Sequence, residues 1–493
     1  MQRLPLRLAA LALACTGLSA QAVYINPEGT GQVLLFPYYT VNAGQATVIS
    51  LVNAGEKSKL LEATFREGYN NREVFTFDVV LAPHDTWTGT VYSDDQNGPA
   101  RLITRDESCT VPSKERWTGP LPGGSYEKTF YTWAFNGRNT DGGLTTGART
   151  REGHFEVIER FELSGTLAAA VENQHPPQCA RLQTISAQAT GVDPPGGDLY
   201  GSFAVIDVAE GTLFGGAATA VDDFSRVPLI DDYGTWNWLH GAMLRGDDFG
   251  EADAVVPIDG RLQTLTFSNN NDMALTNNAG PNALSALLMT ENLYGDISRE
   301  ASLGSHSEWV ITSPTRFMHN ADPPRLYHYA QLAPFNGRFN DPAPDSSCTP
   351  FTPRAYDREG RPVNILSDTN PRPGSLPQHA LCYATNVVHF SDLAADGSTP
   401  LLGSRLGTQV KPDMEAGSVV LELATVEDST RRNTLPAGVS GPTLLGLPVI
   451  GFEVVRYINN NVTPGVLSNY AAATPLRRSV RCGNAAGEAQ DCP

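Results

Sequence analysis

Apolar and polar positions alternate through much of this chain, and that alternation sets the first expectations. In "ATVISLVNAGEKSKLLEATFREG", residues 46–68, Leu61, Ala63 and Phe65 interleave with Glu62, Thr64 and Arg66. A period of two puts one set on a dry face and the other in water, as in a half-buried strand. "EVFTFDVVLAPHDTW" repeats the device, with Phe75, Phe77, Val79 and Leu81 opposite Thr76 and Asp78. Pro83 ends that strand because it has no amide to donate. "TWTGTVY" sets Trp87, Gly89 and Val91 on one side, and "VLLFPYYTV" and "ATVISLVN" supply strands upstream. Short strands split by Asn-Ala-Gly and Gly-Tyr-Asn-Asn turns predict a mostly β fold, with an antiparallel β-sandwich domain and long loops over 23–188.

The same period continues downstream. It predicts strands in "TFYTWAF", "HFEVIERFEL", "QTLTFSNNND", "EWVITSPTRF", "TNVVHFSD", "GSVVLELATV" and "LPVIGFEVVRY", and a hairpin turning near Glu210-Gly211 in "SFAVIDVAEGTLFGGAATAV". The Pro- and Gly-rich stretch "QATGVDPPGGDLYG" marks a domain boundary, giving a second β-rich domain at 198–493 with one or two short helices. "GPNALSALLMTENLYG" reads as one of them, with Pro281 in its first turn, Gly295 past its end, and Leu284, Leu287, Leu288 and Tyr294 as a stripe packed on a sheet. "GTLAAAVENQ" reads as a second short helix. A Pro-rich loop spans 333–382. No repeat of 20–50 residues suggests a solenoid or propeller.

Within Ile49–Val91, one strand ends in Asn53-Ala54-Gly55, a second alternates apolar residues, and a third ends in Leu81-Ala82-Pro83. That run resembles the immunoglobulin-like sandwiches of bacterial surface proteins. The chain as a whole is similar to uncharacterised exported β-rich proteins of Gram-negative bacteria. The resemblance implies a fold and an envelope or extracellular setting; it implies no activity and carries over no functional residue.

The N-terminus supports that setting. "MQRLPLRLAALALACTGLSAQAVY" has Arg3 and Arg7, an apolar run from Leu8 to Leu18, and Ala20-Gln21-Ala22 as a small-x-small cleavage site. This is the pattern of a secretory signal peptide at 1–22, too short to span a bilayer. Cys15 offers the alternative of a lipidated first cysteine, which Ala12-Leu13-Ala14 suit badly. No later run approaches the ~18 apolar residues of a transmembrane helix. The expected location is therefore the periplasm, the outer surface or the medium.

Without the two leader arginines, the 35 basic residues become 33 against 53 acidic, a net of −20. Such a surface repels phosphate backbones, which argues against nucleic acid as a partner. The six remaining cysteines are even in number, as disulfides in an oxidising compartment require, and none has C-x-x-C spacing. Neighbour pairing along the chain predicts Cys109–Cys179, Cys348–Cys382 and Cys482–Cys492. With 46 Gly and 35 Pro among 493 residues, turns and short strands are favoured over long helices.

Candidate chemistry is sparse. H-E-x-x-H, G-x-S-x-G, a phosphate-binding glycine loop, C-x-x-C-H and EF-hand spacing are all absent, so the expectation leans away from an enzyme. In "DDYGTWNWLHG", Trp236, Trp238 and His240 share one face if extended, with Asp231 and Asp232 beside them. Aromatic rings at that spacing stack on sugars, and they also fill sheets. In "RGDDFGEADAVVPIDG", Asp247, Asp248, Glu251 and Asp253 could offer oxygens to Ca²⁺, the one cofactor the sequence suggests, but their spacing matches no calcium motif and the run reads first as a solvated loop. His84, His306 and His328 are scattered. The expected role is binding or assembly: adhesion, a coat or filament subunit, or recognition of a cell-surface glycan. The alternative is a secreted carbohydrate-active hydrolase or lyase, which needs a cleft with two carboxylates.

Overall fold

Thirteen principal strands build the first part of the molecule: β1 (Ala22–Ile25), β2 (Val33–Thr40), β3 (Ala46–Asn53), β4 (Lys59–Glu67), β5 (Glu73–Leu81), β6 (Thr86–Tyr92), β7 (Arg101–Thr104), β8 (Glu152–Leu163), β9 (Leu199–Asp207), β10 (Thr212–Ala217), β11 (Thr219–Asp222), β12 (Glu251–Ile258) and β13 (Arg261–Ser268). The computed structural model describes residues 22–141, 143–173, 177–182, 185, 189–229, 251–268, 279–319, 333–335, 348–366, 379–424, 434–435, 440–459, 463, 465–466, 468–484 and 488–492. One sheet has the order β13-β12-β1-β11-β2-β8-β4-β5, and a second runs β10-β9-β3-β6-β7. Their inner faces meet as a sandwich. Phe36, Phe65, Phe75 and Phe155 from the first sheet pack with Ile49, Trp87, Phe203 and Phe214 from the second. The Phe36 and Phe155 rings stack at 4.0 Å. These are the alternating apolar positions of the sequence, and the mostly β, sandwich-like architecture is as expected. Strands on both sides of the 187–198 stretch share both sheets.

The second part forms another pair of facing sheets. One contains β14 (Asn292–Ser298), β16 (Thr352–Asp357), β18 (Ala416–Glu422) and β21 (Arg477–Ser479); the other contains β15 (Ser305–Thr312), β17 (Thr385–His389), β19 (Ile450–Tyr457) and β20 (Tyr470–Pro475). Their core holds Leu293, Trp309, Val388, Val419 and Leu421. Two α-helices occur among the described residues, α1 (Gly165–Glu172) and α2 (Ala279–Leu288). All three neighbour disulfides form, closing spans of 70, 34 and 10 residues. In the chain-entropy view the longest stabilises by about 4 kcal/mol.

Several expectations are corrected. The polar face of β4 is not wet: every residue of β2, β4 and β8 is buried. Helix α2 lays Leu284 and Leu287 against Val33, Leu35, Ile158 and Val256 on the outer side of the first sheet. Phe317 lies 4.3 Å from the Arg66 guanidinium, and Asn71 Nδ2 donates to the Ser313 carbonyl at 3.3 Å. Charges enclosed this way need partners. Arg66 pairs with Glu156 at 2.8 Å, Arg160 with Asp78 at 3.2 Å, and Lys59 with Glu159 at 2.9 Å and Glu162 at 2.8 Å.

Helix α2 also stops at Leu288, short of Gly295. Tyr294 and Gly295 belong to β14, whose ladder to β18 wins over helical continuation. In "TFYTWAF" the strand covers only Tyr126–Thr129; Trp133–Phe135 is a single 3-10 turn, with Phe135 under the Arg149 guanidinium at 4.5 Å. The Pro-rich passage contains β16, which accommodates Pro353 because its other neighbour, Pro362–Val363, pairs only with Ala355 and Tyr356. The N-terminal segment "VYINPEGTGQVLLFPYY", residues 23–39, reads as either a strand donor for polymerisation or the first strand of its own sheet, and its leading strand is β1. Strand β1 is paired on both sides within its own sheet, antiparallel to β11 and parallel to β12.

The two parts interlock. Thr312 Oγ1 donates to the Pro37 carbonyl at 2.7 Å, and the Thr385 amide donates to the Gly68 carbonyl at 2.9 Å. Buried Glu308 accepts from the Leu401 amide (2.8 Å), the Leu402 amide (3.0 Å) and the Thr399 hydroxyl (2.9 Å). Gln45 holds the same loop through the Leu401 carbonyl at 2.9 Å, and Glu152 accepts the Arg405 amide at 3.1 Å.

Two measurements follow. Lys59→Met removes the cation paired with buried Glu159, so chemical denaturation is expected to show a loss of about 3–5 kcal/mol; the half-exposed control Lys411→Met changes stability by less than about 1 kcal/mol. Burial pushes the Glu308 carboxyl up to about 7 against an ordinary value of 4.5, with the Leu401 and Leu402 amides, Thr399 and Arg456 opposing. The folded state therefore holds that proton more tightly. Glu308's contribution is fully present below about 4.5 and lost as pH rises through about 7. The stability difference between the native chain and Glu308→Gln, followed by urea unfolding, is expected to fall by about 1–3 kcal/mol between those limits.

Candidate functional site

Along one edge of the second pair of sheets lies a groove of about 310 Å³. Its making begins with Gly295. A Cβ there would lie 2.3 Å from Glu453 Oε2 and 2.7 Å from Trp309 Cζ2, so only glycine leaves room for the Glu453 carboxylate. The edge of β14 is partnered by β21 only over Asn292–Tyr294. Beyond that point Glu453, reaching across from β19, takes the place of a strand: its Oε2 accepts the Asp296 amide at 2.7 Å. Trp309 Nε1 donates to the Asp296 carbonyl at 3.4 Å and fixes the floor.

Around this centre the groove presents Tyr294, Asp296, Ser418, Thr474 and Arg477. Tyr294 is 39 % exposed, with its ring available on the rim. Burial, more than any neighbour, raises the Glu453 carboxyl above its ordinary value; the Asp296 charge adds to the rise, while the Asp296 amide and Arg477 oppose it. The site thus combines two neighbouring carboxylates, a guanidinium, hydroxyls and one flat aromatic ring. Such a set suits a neutral ligand rich in hydroxyls: carboxylates accept, the guanidinium donates, and the ring covers an apolar sugar face.

Comparison with protein-family models, curated proteins and solved structures finds no match to this chain.

The candidates drawn from the sequence fall elsewhere. Trp236, Trp238, His240, Asp231 and Asp232 lie outside the described residues, as do Asp247 and Asp248. Glu251 and Asp253 stand two apart on β12, opposite Ser268 and Thr266 of β13, in a strand and not a loop. Asp253 Oδ1 is buried without a hydrogen-bond partner among the described residues. No group of three or more His, Cys, Asp or Glu able to hold a metal occurs among the described residues. His328 lies outside them too. His84 sits in an exposed turn 3.4 Å from Glu56, and His306 faces Ser391 at 3.4 Å rather than its neighbours Ser305 and Ser307, which bond to Ser298.

A Ser–His contact that sequence reading did not anticipate joins Ser285 of α2 to His319 Nε2 at 2.7 Å, with Thr315 at 2.9 Å from the same hydroxyl. All three side chains are buried, and burial lowers His319 to about 4, so the ring is neutral. The Ser285 hydroxyl donates to Thr315 and meets the His319 ring, and the contacts pin α2 to the following turn. The groove residues were missed because 294–296, 453 and 477 are far apart in sequence; Gly295 within an otherwise alternating strand was the only local signal.

The charges around Glu453 give a titration test. Asp296→Asn is expected to lower the Glu453 pKa and Arg477→Ala to raise it, read by carboxyl-detected NMR. Unchanged titration in both variants would contradict the proposed proximity of these groups.

Proposed function

We propose that this chain is an exported cell-envelope or extracellular protein that acts by binding, and that the Glu453–Asp296–Arg477–Tyr294 groove receives a hydroxyl-rich ligand such as one or two residues of a surface glycan. The observation that carries the reading is the groove itself: it brings donors, acceptors and an exposed ring together, and its volume of about 310 Å³ is at the small end of ligand sites. Export is supported by the leader-like N-terminus and by three disulfides, which persist in oxidising compartments. Among the described residues no helix is long and apolar enough to cross a membrane.

One observation favours a second reading, a carbohydrate-active hydrolase or lyase. Glu453 and Asp296 are adjacent carboxylates, and Glu453 is pushed toward its protonated form, as a general acid requires. A glycan array followed by incubation with the bound polysaccharides separates the two. Binding without release of reducing ends, weakened about tenfold by Tyr294→Ala or Arg477→Ala, supports the binding role. Reducing-end release abolished by Glu453→Gln supports the enzyme. Binding that neither variant weakens places the ligand elsewhere.

A further inference from the structure

The outward face of the second sheet carries no charged side chain over β10, β9, β3 and β6. Alternation turns Ile49, Leu51, Trp87, Val91, Phe203 and Val205 into the core, so their neighbours point out. The registers align these neighbours in rows across the sheet. One row runs Gly215, Ala204, Val48 and Thr90; charge begins beyond it on β7, where Arg101 pairs with Glu127 at 3.0 Å. The next runs Ala217, Ser202, Ser50 and Thr88. Leu213 and Tyr200 stand on the same face at 57 % and 44 % exposure.

Solvent-facing sheet surfaces are ordinarily studded with charge, and this molecule follows that habit elsewhere. The outer face of the β16-β18-β14-β21 sheet bears Arg354, Glu422, Asp296 and Arg477, with Arg354 and Glu422 paired at 2.6 Å. The contrast sits in a chain of net charge −18. Two copies of such a chain repel each other wherever acidic surfaces meet, and a charge-free face is where that repulsion is least.

We infer that this face is the contact between two copies of the chain, packed sheet against sheet about a two-fold axis. A two-fold contact is self-complementary, and a flat array of Ala, Gly, Ser, Thr and Val can lie against itself with no charge to bury. The four uncharged strands, spaced ~4.8 Å apart and about seven to eight residues long, cover roughly 475 Å² per copy. About 950 Å² in total lies at the size of weak, transient contacts and calls for a readily reversible dimer. The surface is separate from the groove and does not depend on a ligand being bound there.

The test is sedimentation equilibrium of the full chain with its disulfides intact. A monomer–dimer equilibrium in the micromolar range is expected, strengthened by added salt because the remaining repulsion is long-ranged. Ala204→Glu or Val48→Glu buries an unpaired charge in the contact and is expected to weaken the dimer about 100-fold or more. Leu262→Glu, exposed on β13 at 76 %, is expected to leave it unchanged. Near-ultraviolet circular dichroism identical to the native chain shows that the variants fold. A chain that stays monomeric at 100-fold the expected dissociation constant overturns the proposal, as does a dimer that survives both glutamates; either result leaves the groove's binding role untouched.

Discussion

The structure depends on the enclosure of charge between layers. The first sheet is covered on both faces, by the second sheet on its apolar side and by α2, Phe317 and the 313–319 turn on parts of the other. Covering a face that carries Arg66, Asp78, Glu156 and Arg160 removes water from ions, which costs several kcal/mol for each one left without a partner. The cross-strand register of β4 and β8 meets that cost by setting opposite charges side by side. Because the cover comes from residues beyond 279, the first sandwich is complete only when the second part is docked. The loop held by Glu308, Gln45 and Glu152 closes the same joint from the other side.

That joint leaves the edge of the second pair of sheets at 470–479 free to be shaped for contact with something else. There a single glycine makes the difference. Gly295 admits Glu453 to the strand edge, and Glu453 in turn satisfies an amide that a missing strand would have bonded. A carboxylate used as a surrogate strand is held in place yet remains half open to solvent. Glu453 lines the groove together with Asp296, Arg477 and Tyr294. The arrangement links a backbone need to a recognition surface, with no catalytic motif of the local kind.

Much of the fold was legible in the sequence. The strands at 46–53, 59–67, 73–81 and 86–92 follow the period of two, and the disulfides join successive cysteines. Alternation says which face of a strand is apolar; it does not say whether the polar face is covered. Glu62, Thr64 and Arg66 look solvated until the residues that cover them are known. A clue was present in the complementary charges of "HFEVIERFEL" and "KLLEATFRE", which is what two paired strands under a lid require. The end of α2 was misjudged because Gly295 serves equally as a helix stop and as a gap in a strand, and only pairing with 416–422 decides between them. The groove could not be read at all, since it is made by convergence of three distant segments, and the aromatic and acidic runs at 231–248 drew attention instead.

The central claim is that the two parts form one cooperative body because each completes the other's buried polar surface. Differential scanning calorimetry of the oxidised chain tests it most directly. The account predicts a single transition whose calorimetric and van't Hoff enthalpies agree. Two resolved transitions, with the 22–268 sandwich melting independently of the rest, would contradict it.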